Sequence, residues 1–327
     1  MEAVRRAFET LLAAGGPYNV QLSGGEPTLR DDLPEIIQLG VSLGFDYLQL
    51  NTNGLRLAED PSYAGRLKDA GLACVFLQFD GVTDSACERL RGRPLFEQKK
   101  LAVDRCAEAK LGVVLVPTLM PGVNVCEIGS TIDFAVERIP DVRGVHFQPI
   151  SYFGRYPGRP SDADRLTIPE ILREIEAQTT GRILAEHFKP AACENSYCSF
   201  HGNFVLLPDG ELKSWTRHDP GACCAKPERI QDAAAKKRRF QSRFWTSPNV
   251  KPCMVASDLR LGDWDLFLQR AITHSFCISG MAFQDAWNLD LDRLRECSIH
   301  VVHPDGRLVP FCAYNLTGFD GRSLYRG

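Results

Sequence analysis

The residues whose types and spacing could do chemistry begin with Gly24, Gly25, Glu26 and Pro27, at the end of an apolar run from Tyr18 to Leu22. Two glycines at a strand end let the backbone turn sharply and approach a ligand with no Cβ in the way. Pro27 stiffens the exit. A bare Gly-Gly pair is also an ordinary strand-to-helix turn, and that plainer reading stands beside the first. The second chemical signal is a count of 12 cysteines. In a reducing compartment structural disulfides are rare, so metal or redox roles become the alternatives. Cys74, Cys87, Cys106 and Cys126 stand alone in strand or helix patterns and read as small buried hydrophobes. The other eight lie between Cys193 and Cys312.

The elements that must position these residues follow from periodicity. Residues 1 to about 150 alternate helix and strand patterns. Helices are expected at Met1–Ala14, Leu33–Leu43, Tyr63–Ala70, Leu95–Lys110 and Glu127–Arg138, and strands at Tyr18–Ser23, Tyr47–Asn51, Ala73–Phe79, Gly112–Thr118 and Val145–Gln148. Such βα repetition predicts an α/β fold, a partial (β/α) barrel or parallel sheet with helices outside. Ligand-binding residues of parallel sheets gather at the strands' C-terminal ends. There the chain carries Ser23 to Pro27, Asn51-Thr52-Asn53-Gly54, Gln78-Phe79-Asp80-Gly81, Pro117-Thr118-Leu119 and Gln148-Pro149-Ile150-Ser151. Each alone is a turn signal, but five at one mouth point to a shared ligand.

Gly154 to Asp164 reads as a linker or exposed loop, and Thr167 as the N-cap of a helix with Pro169 in its first turn. The expected division is residues 1–165 as barrel and 166–327 as a cysteine-rich α+β domain. In the latter, Pro208-Asp209-Gly210 and Pro304-Asp305-Gly306 are hairpin turns. The second hairpin is flanked by Cys297 and Cys312; the first follows Cys193 and Cys198 and has Thr216 where an echo of Cys312 would fall. Cys193, Cys198, Cys297 and Cys312 would make four ligands, the number a [4Fe–4S] cluster or a tetrahedral zinc needs; scattered free thiols are the alternative. Cys277 is a substitute ligand, Cys223 and Cys224 are adjacent, and Cys253 has no partner nearby. His201 and His303 are read as hairpin hydrogen-bonding groups, with zinc ligation the rarer role.

The full Gly24 to Pro27 motif and its ordered strand ends resemble the radical S-adenosylmethionine (radical SAM) enzymes over about 150 residues. Met281 to Trp287, Cys297-Ser-Ile-His300 and Pro310 to Thr317 look like the C-terminal part of the tetraether lipid synthases and their bacterial relatives. The resemblance implies that Gly24, Gly25, Glu26 and Pro27 hold the methionine amino group of SAM and that Asn51, Thr52 and Asn53 lie near its ribose or carboxylate. It places Gln78 and Asp80 at the reaction centre and Gln148, Pro149 and Ile150 near the adenine. Carboxylate and amide groups suit an ammonium and sugar hydroxyls. It further implies an auxiliary [4Fe–4S] cluster, a reductant such as ferredoxin or flavodoxin, and radical C–H activation, with lipid alkyl coupling among the outcomes. The family's Cys-x3-Cys-x2-Cys loop, whose cluster cleaves SAM, does not occur in the chain. A fragment is expected in preference to a protein that has lost the activity. The rivals are a non-catalytic SAM- and metal-binding module and an ordinary partial-barrel enzyme with a structural zinc domain.

Composition sets the outer bounds. At 44% hydrophobic and 24% charged residues over 327 positions, the chain is an ordinary globular one of roughly two domains. A net charge of −3 makes no electrostatic case for nucleic acid, and Lys236-Lys237-Arg238-Arg239 reads as a solvated helix face. No apolar run is long enough for a membrane span and no signal-peptide layout opens the chain, so a cytoplasmic location is expected.

Overall fold

The computed structural model describes residues 1–154, 156, 158–191, 194–216, 244–248, 263–318 and 320–325. Cys193, Cys223, Cys224, Cys253 and the run Lys236 to Arg239 lie outside the described residues.

The expected βα alternation is present. Helix α1 (Glu2–Ala13) leads to β1 (Val20–Leu22), α2 (Leu33–Ser42) to β2 (Leu48–Thr52), and α3 (Leu55–Glu59) with α4 (Tyr63–Asp69) to β3 (Cys74–Gln78). Helices α5 (Asp84–Arg91) and α6 (Phe96–Glu108) precede β4 (Gly112–Val116) and the short β5 (Thr118–Leu119); α7 (Ile128–Val136) precedes β6 (Val142–Pro149). Helix α8 (Ile168–Gln178) opens as its sequence predicts. Glu170 Oε2 accepts from the Thr167 N–H at 2.7 Å and from its hydroxyl at 2.6 Å, the reciprocal cap of a Thr-x-x-Glu start.

Both hairpins form: β7 (Ser199–Leu206) pairs antiparallel with β8 (Leu212–Ser214), and β10 (His300–Val302) with β11 (Leu308–Pro310). Gly210 and Gly306 each take φ +87°, the backbone setting glycine tolerates in the turn. One pairing joins the cysteine region to the barrel sheet and a second extends the sheet from there. Strand β9 (Ser275–Met281), which follows helix α9 (Asp263–Thr273), lies parallel to β6, and β7 lies antiparallel to β9. The strand order is β1-β2-β3-β4-β6-β9-β7-β8, with β5 paired to β6. The cysteine region therefore supplies three strands of the sheet that carries the candidate site.

The two faces of this partial barrel differ. Leu50, Val75, Leu77, Leu115, Val145, Phe147 and Ile278 point outward into the main core beneath the helices. Cys74, Phe76, Val114, Val116 and Cys277 point to the concave face, where Trp245 closes the lower end with its ring centroid 5.1 Å from that of Phe76. Cys74, Cys87 and Cys106 are buried, as expected; burial pushes the Cys74 and Cys106 thiols up to about 12. Cys126 departs from that expectation. It sits exposed in the turn Val125–Glu127 ahead of α7, where the chain has left the packed face.

Candidate functional site

The strand ends meet at the C-terminal edge of the parallel sheet. At Gly24 (φ +128°) and Gly25, an added Cβ would meet no atom within 4 Å, so the backbone after β1 faces open space. Glu26 turns the other way. Its Oε1 accepts from the Thr28 N–H (3.0 Å), the Thr28 hydroxyl (2.7 Å) and the Thr52 hydroxyl (2.6 Å), and its Oε2 from the Asn53 N–H (2.7 Å). Three of these bonds fall on Oε1 and one on Oε2, so the chain itself engages most of the carboxylate. The side chain therefore ties the loop after β1 to the end of β2, and what this loop presents to a ligand is backbone.

Asn53 is held on three sides. Its Oδ1 accepts from the Leu55 N–H at 2.9 Å, capping α3, and its carbonyl oxygen accepts from Lys99 Nζ at 2.5 Å. Lys99 is 1% exposed. Burial brings its ammonium down to about 8, against the opposing pull of Asp80. The residue occupies the apolar stripe of α6 with Ala102, Val103 and Cys106. A lysine at i, i+3, i+4, i+7 spacing with apolar residues is the signal in the sequence that marks it.

Asp80 does not open to the mouth. Its side chain is fully buried and takes Arg91 in a fork, Nε at 2.7 Å and Nη2 at 2.9 Å, while its Oδ1 also accepts from the Thr118 N–H. Arg91 reaches the Thr118 hydroxyl at 3.2 Å, and turning the Gln78 amide so that its oxygen faces the guanidinium gives contacts of 2.9 and 3.2 Å. Arg91, at the end of a helix the sequence pattern did not reveal, thus places a fixed cation among the strand ends. Asn51, Thr52, Gln78 and Gln148 all end parallel strands on this edge. Gln148 and Pro149 pair with Thr118 and Leu119, and the Ile150 N–H donates to the Leu119 carbonyl at 2.9 Å.

Beyond β9 the structure brings Cys198, Cys297 and Cys312 near one another. Burial raises the Cys312 thiol to about 11; the Gln284 N–H, 3.3 Å from its sulfur, pulls down, and charge on Cys297 and Cys198 pushes up. Cys297 is raised by burial, with Cys198 adding to it. Arg293 donates from Nε and Nη2 to Cys198 Sγ, both at 3.4 Å. Among the described residues no three ligand side chains are already gathered closely enough to hold a metal ion. Cys277 stands apart, packed on the concave face with Phe76 and Trp245. His303 serves its hairpin, 2.7 Å from Asp305 across the turn.

Residues 1–135 match the Radical SAM superfamily. Over 96% of its length the chain is 32% identical to the 7,8-dihydro-6-hydroxymethylpterin dimethyltransferase of Methanocaldococcus jannaschii, of which it spans 70%. Over 46% of its length it is 37% identical to a probable GTP 3',8-cyclase of Methanopyrus kandleri, of which it spans 46%. Similar solved structures include a domain of pyruvate-formate lyase-activating enzyme from Bacteroides vulgatus, 16% identical with a TM-score of 0.41, over 50% of this chain and 94% of that one. Another is anSMEcpe with bound AdoMet, also 16% identical at 0.41, over 55% of this chain and 50% of that one.

Proposed function

The chain belongs to the radical SAM superfamily, and from that premise we propose that it binds SAM across the strand ends and serves radical modification of a carbon atom in a small polar heterocycle. The observation that carries this reading is the single edge formed by the open backbone at Gly24 and Gly25, the Asn53 loop tied to it through Glu26, and Gln148, with Cys198, Cys297 and Cys312 next along the sheet. SAM, when bound and reductively cleaved, supplies a 5′-deoxyadenosyl radical able to take hydrogen from an unactivated carbon.

The chain's own residues do the holding. The backbone at Gly24 and Gly25 would receive the methionine ammonium, the donors around Asn51 and Asn53 the ribose, and the end of β6 at Gln148, Pro149 and Ile150 the adenine. Arg91, fixed by the buried Asp80, is the cation available for the methionine carboxylate. The concave wall between Phe76 and the strand ends keeps water from the reacting carbon. Cys198, Cys297 and Cys312, three soft donors, fit an auxiliary [4Fe–4S] cluster better than a hard cation. Cys193 is the fourth ligand in this reading. Residues 1–327 carry no Cys-x3-Cys-x2-Cys triplet, so the proposal gives them the SAM and substrate sites and not the ligands of the SAM-cleaving cluster.

The relatives narrow the substrate. A pterin dimethyltransferase over nearly the whole chain, and cyclases of GTP over its first part, act by name on heterocycles. Neither supports the lipid coupling that the resemblance to tetraether lipid synthases implies. Isothermal titration of the anaerobically purified chain with SAM tests the reading, alongside Mössbauer spectra after reconstitution. Saturable SAM binding with a [4Fe–4S] signal is expected; a folded sample that ignores SAM, or that takes zinc in place of iron, ends it.

A further inference from the structure

The concave face carries a second group of side chains that the SAM site does not use. His146 on β6 pairs with Ser279 on β9, and Ser279 pairs with His201 on β7, so the three are consecutive partners across adjacent strands and share one face. His146 Nδ1 and Ser279 Oγ are 2.9 Å apart. The imidazole of His146 rests on the floor of the barrel, its centroid 5.7 Å from that of Phe76, which Trp245 supports from below. One step further up β7, Ser199 is 4% exposed and its hydroxyl has no hydrogen-bond partner. Ser199 pairs with Met281, and the Ala282 N–H beyond it donates to the Cys198 carbonyl at 2.8 Å. The group therefore lies between the SAM half of the sheet and the cysteines.

We propose that His146, Ser279, His201 and Ser199 form the substrate-reading wall of the barrel, and that the substrate they take is a planar amino-oxo heterocycle of the pterin or purine kind. Two imidazoles and two hydroxyls along one wall, above an aromatic floor, match a flat ring whose edge alternates donors and acceptors. A saturated alkyl chain in the same place would leave the buried Ser199 hydroxyl, which has no partner within the chain, still without one, and a binding site disfavours that. In the order of the sheet the wall lies between the strands that carry the SAM edge and Cys198, which immediately precedes Ser199. The inference rests on the SAM reading above and adds the substrate class and the residues that select it.

The test is a pair of separate titrations on the anaerobic chain, one with SAM alone and one with each probe added to the SAM-loaded sample. The probes are 7,8-dihydro-6-hydroxymethylpterin, guanosine and dodecanoate. Binding of the pterin or of guanosine, with none of dodecanoate, is expected. Ser279→Ala and His146→Phe should each weaken the heterocycle by about tenfold, the loss of one hydrogen bond at a buried partner. His146→Asn, which can still bond Ser279, should recover part of the loss. SAM affinity should hold in all three variants, a pattern that a merely structural role for the pair would not produce. Absence of binding by both heterocycles, binding of dodecanoate, or parent-level heterocycle affinity in Ser279→Ala and His146→Phe overturns the proposal. Failure of the SAM titration by itself overturns the SAM reading, and the probe titrations repeated without SAM still decide the wall.

Discussion

Lys99 Nζ, on a side chain 1% exposed, donates to the carbonyl oxygen of Asn53 at 2.5 Å. A buried ammonium under the loop that follows β2 is costly to the fold and useful to the loop. Among its neighbours in charge Asp80 acts most strongly and favours the ammonium, Arg91 opposes it, and Cys87 and then Glu26 favour it more weakly.

That contact predicts a pH dependence. The folded group titrates at about 8 and the unfolded one at 10.5. Between those values the unfolded chain holds a proton that the folded one lacks, so stability rises with pH, by about 1.4 kcal/mol per unit at most. Below about 8 both states are protonated and the slope vanishes. Lys99→Met should lose this slope in urea unfolding at pH 8 and 9.5, and should weaken SAM several-fold by freeing the Asn53 carbonyl. Identical pH slopes in parent and variant would show that the ammonium is not buried as described.

Glu26 joins two loops through four hydrogen bonds. Glu26→Ala strands the Thr28 and Asn53 N–H groups and should cost about 3 kcal/mol of stability. SAM affinity should fall by about tenfold or more as the Gly24 and Asn53 loops part. Isothermal titration with SAM at a temperature where both proteins are folded checks it; unchanged affinity would refute the pocket.

Arg91 and Asp80 should respond unequally to mutation. Asp80 is fully buried and Arg91 has 29% of its side chain exposed. Arg91→Ala leaves a carboxylate in the interior with its main partner gone, at about 3–5 kcal/mol. In Asp80→Asn the guanidinium can turn toward water, so the loss should be smaller. Denaturant midpoints decide, and the reverse order would mean that the pair is more solvated than the structure shows.

Iron content tests the cysteine assignment. After anaerobic reconstitution, Cys198→Ser, Cys297→Ser and Cys312→Ser should each retain less iron than the parent. Cys277→Ser, whose sulfur packs near Phe76 and Trp245, should retain the parent amount. Full iron in Cys312→Ser, or a loss in Cys277→Ser equal to that of the others, would assign the ligands differently.

Much of the site was legible residue by residue. Gly24 to Pro27, Asn51 to Asn53, Gln78 and Gln148 stand where strand-end logic places them, because parallel strands put their C-terminal ends on one edge. The direction of each side chain was not legible. Glu26 and Asp80 have the right chemistry for a ligand, yet each carboxylate is occupied by the chain itself, through contacts 11 to 38 positions away. Arg91 was hidden for the same reason, since a cation at a helix end looks solvated until a distant strand end pairs it. Lys99 stands in the apolar stripe of its helix, and only its partner, the Asn53 carbonyl, was not legible.

By itself the sequence determined the βα alternation, the mouth and its glycine turn, and the two Pro-Asp-Gly hairpins, since all of these follow from local period and turn chemistry. Only the tertiary structure decided that β9 runs beside β6 and β7 beside β9. Those pairings join residues up to about 130 positions apart, and strand partnership at such a distance is set by which apolar faces pack together in the folded chain. His146, Ser279 and His201 become one wall through that packing alone.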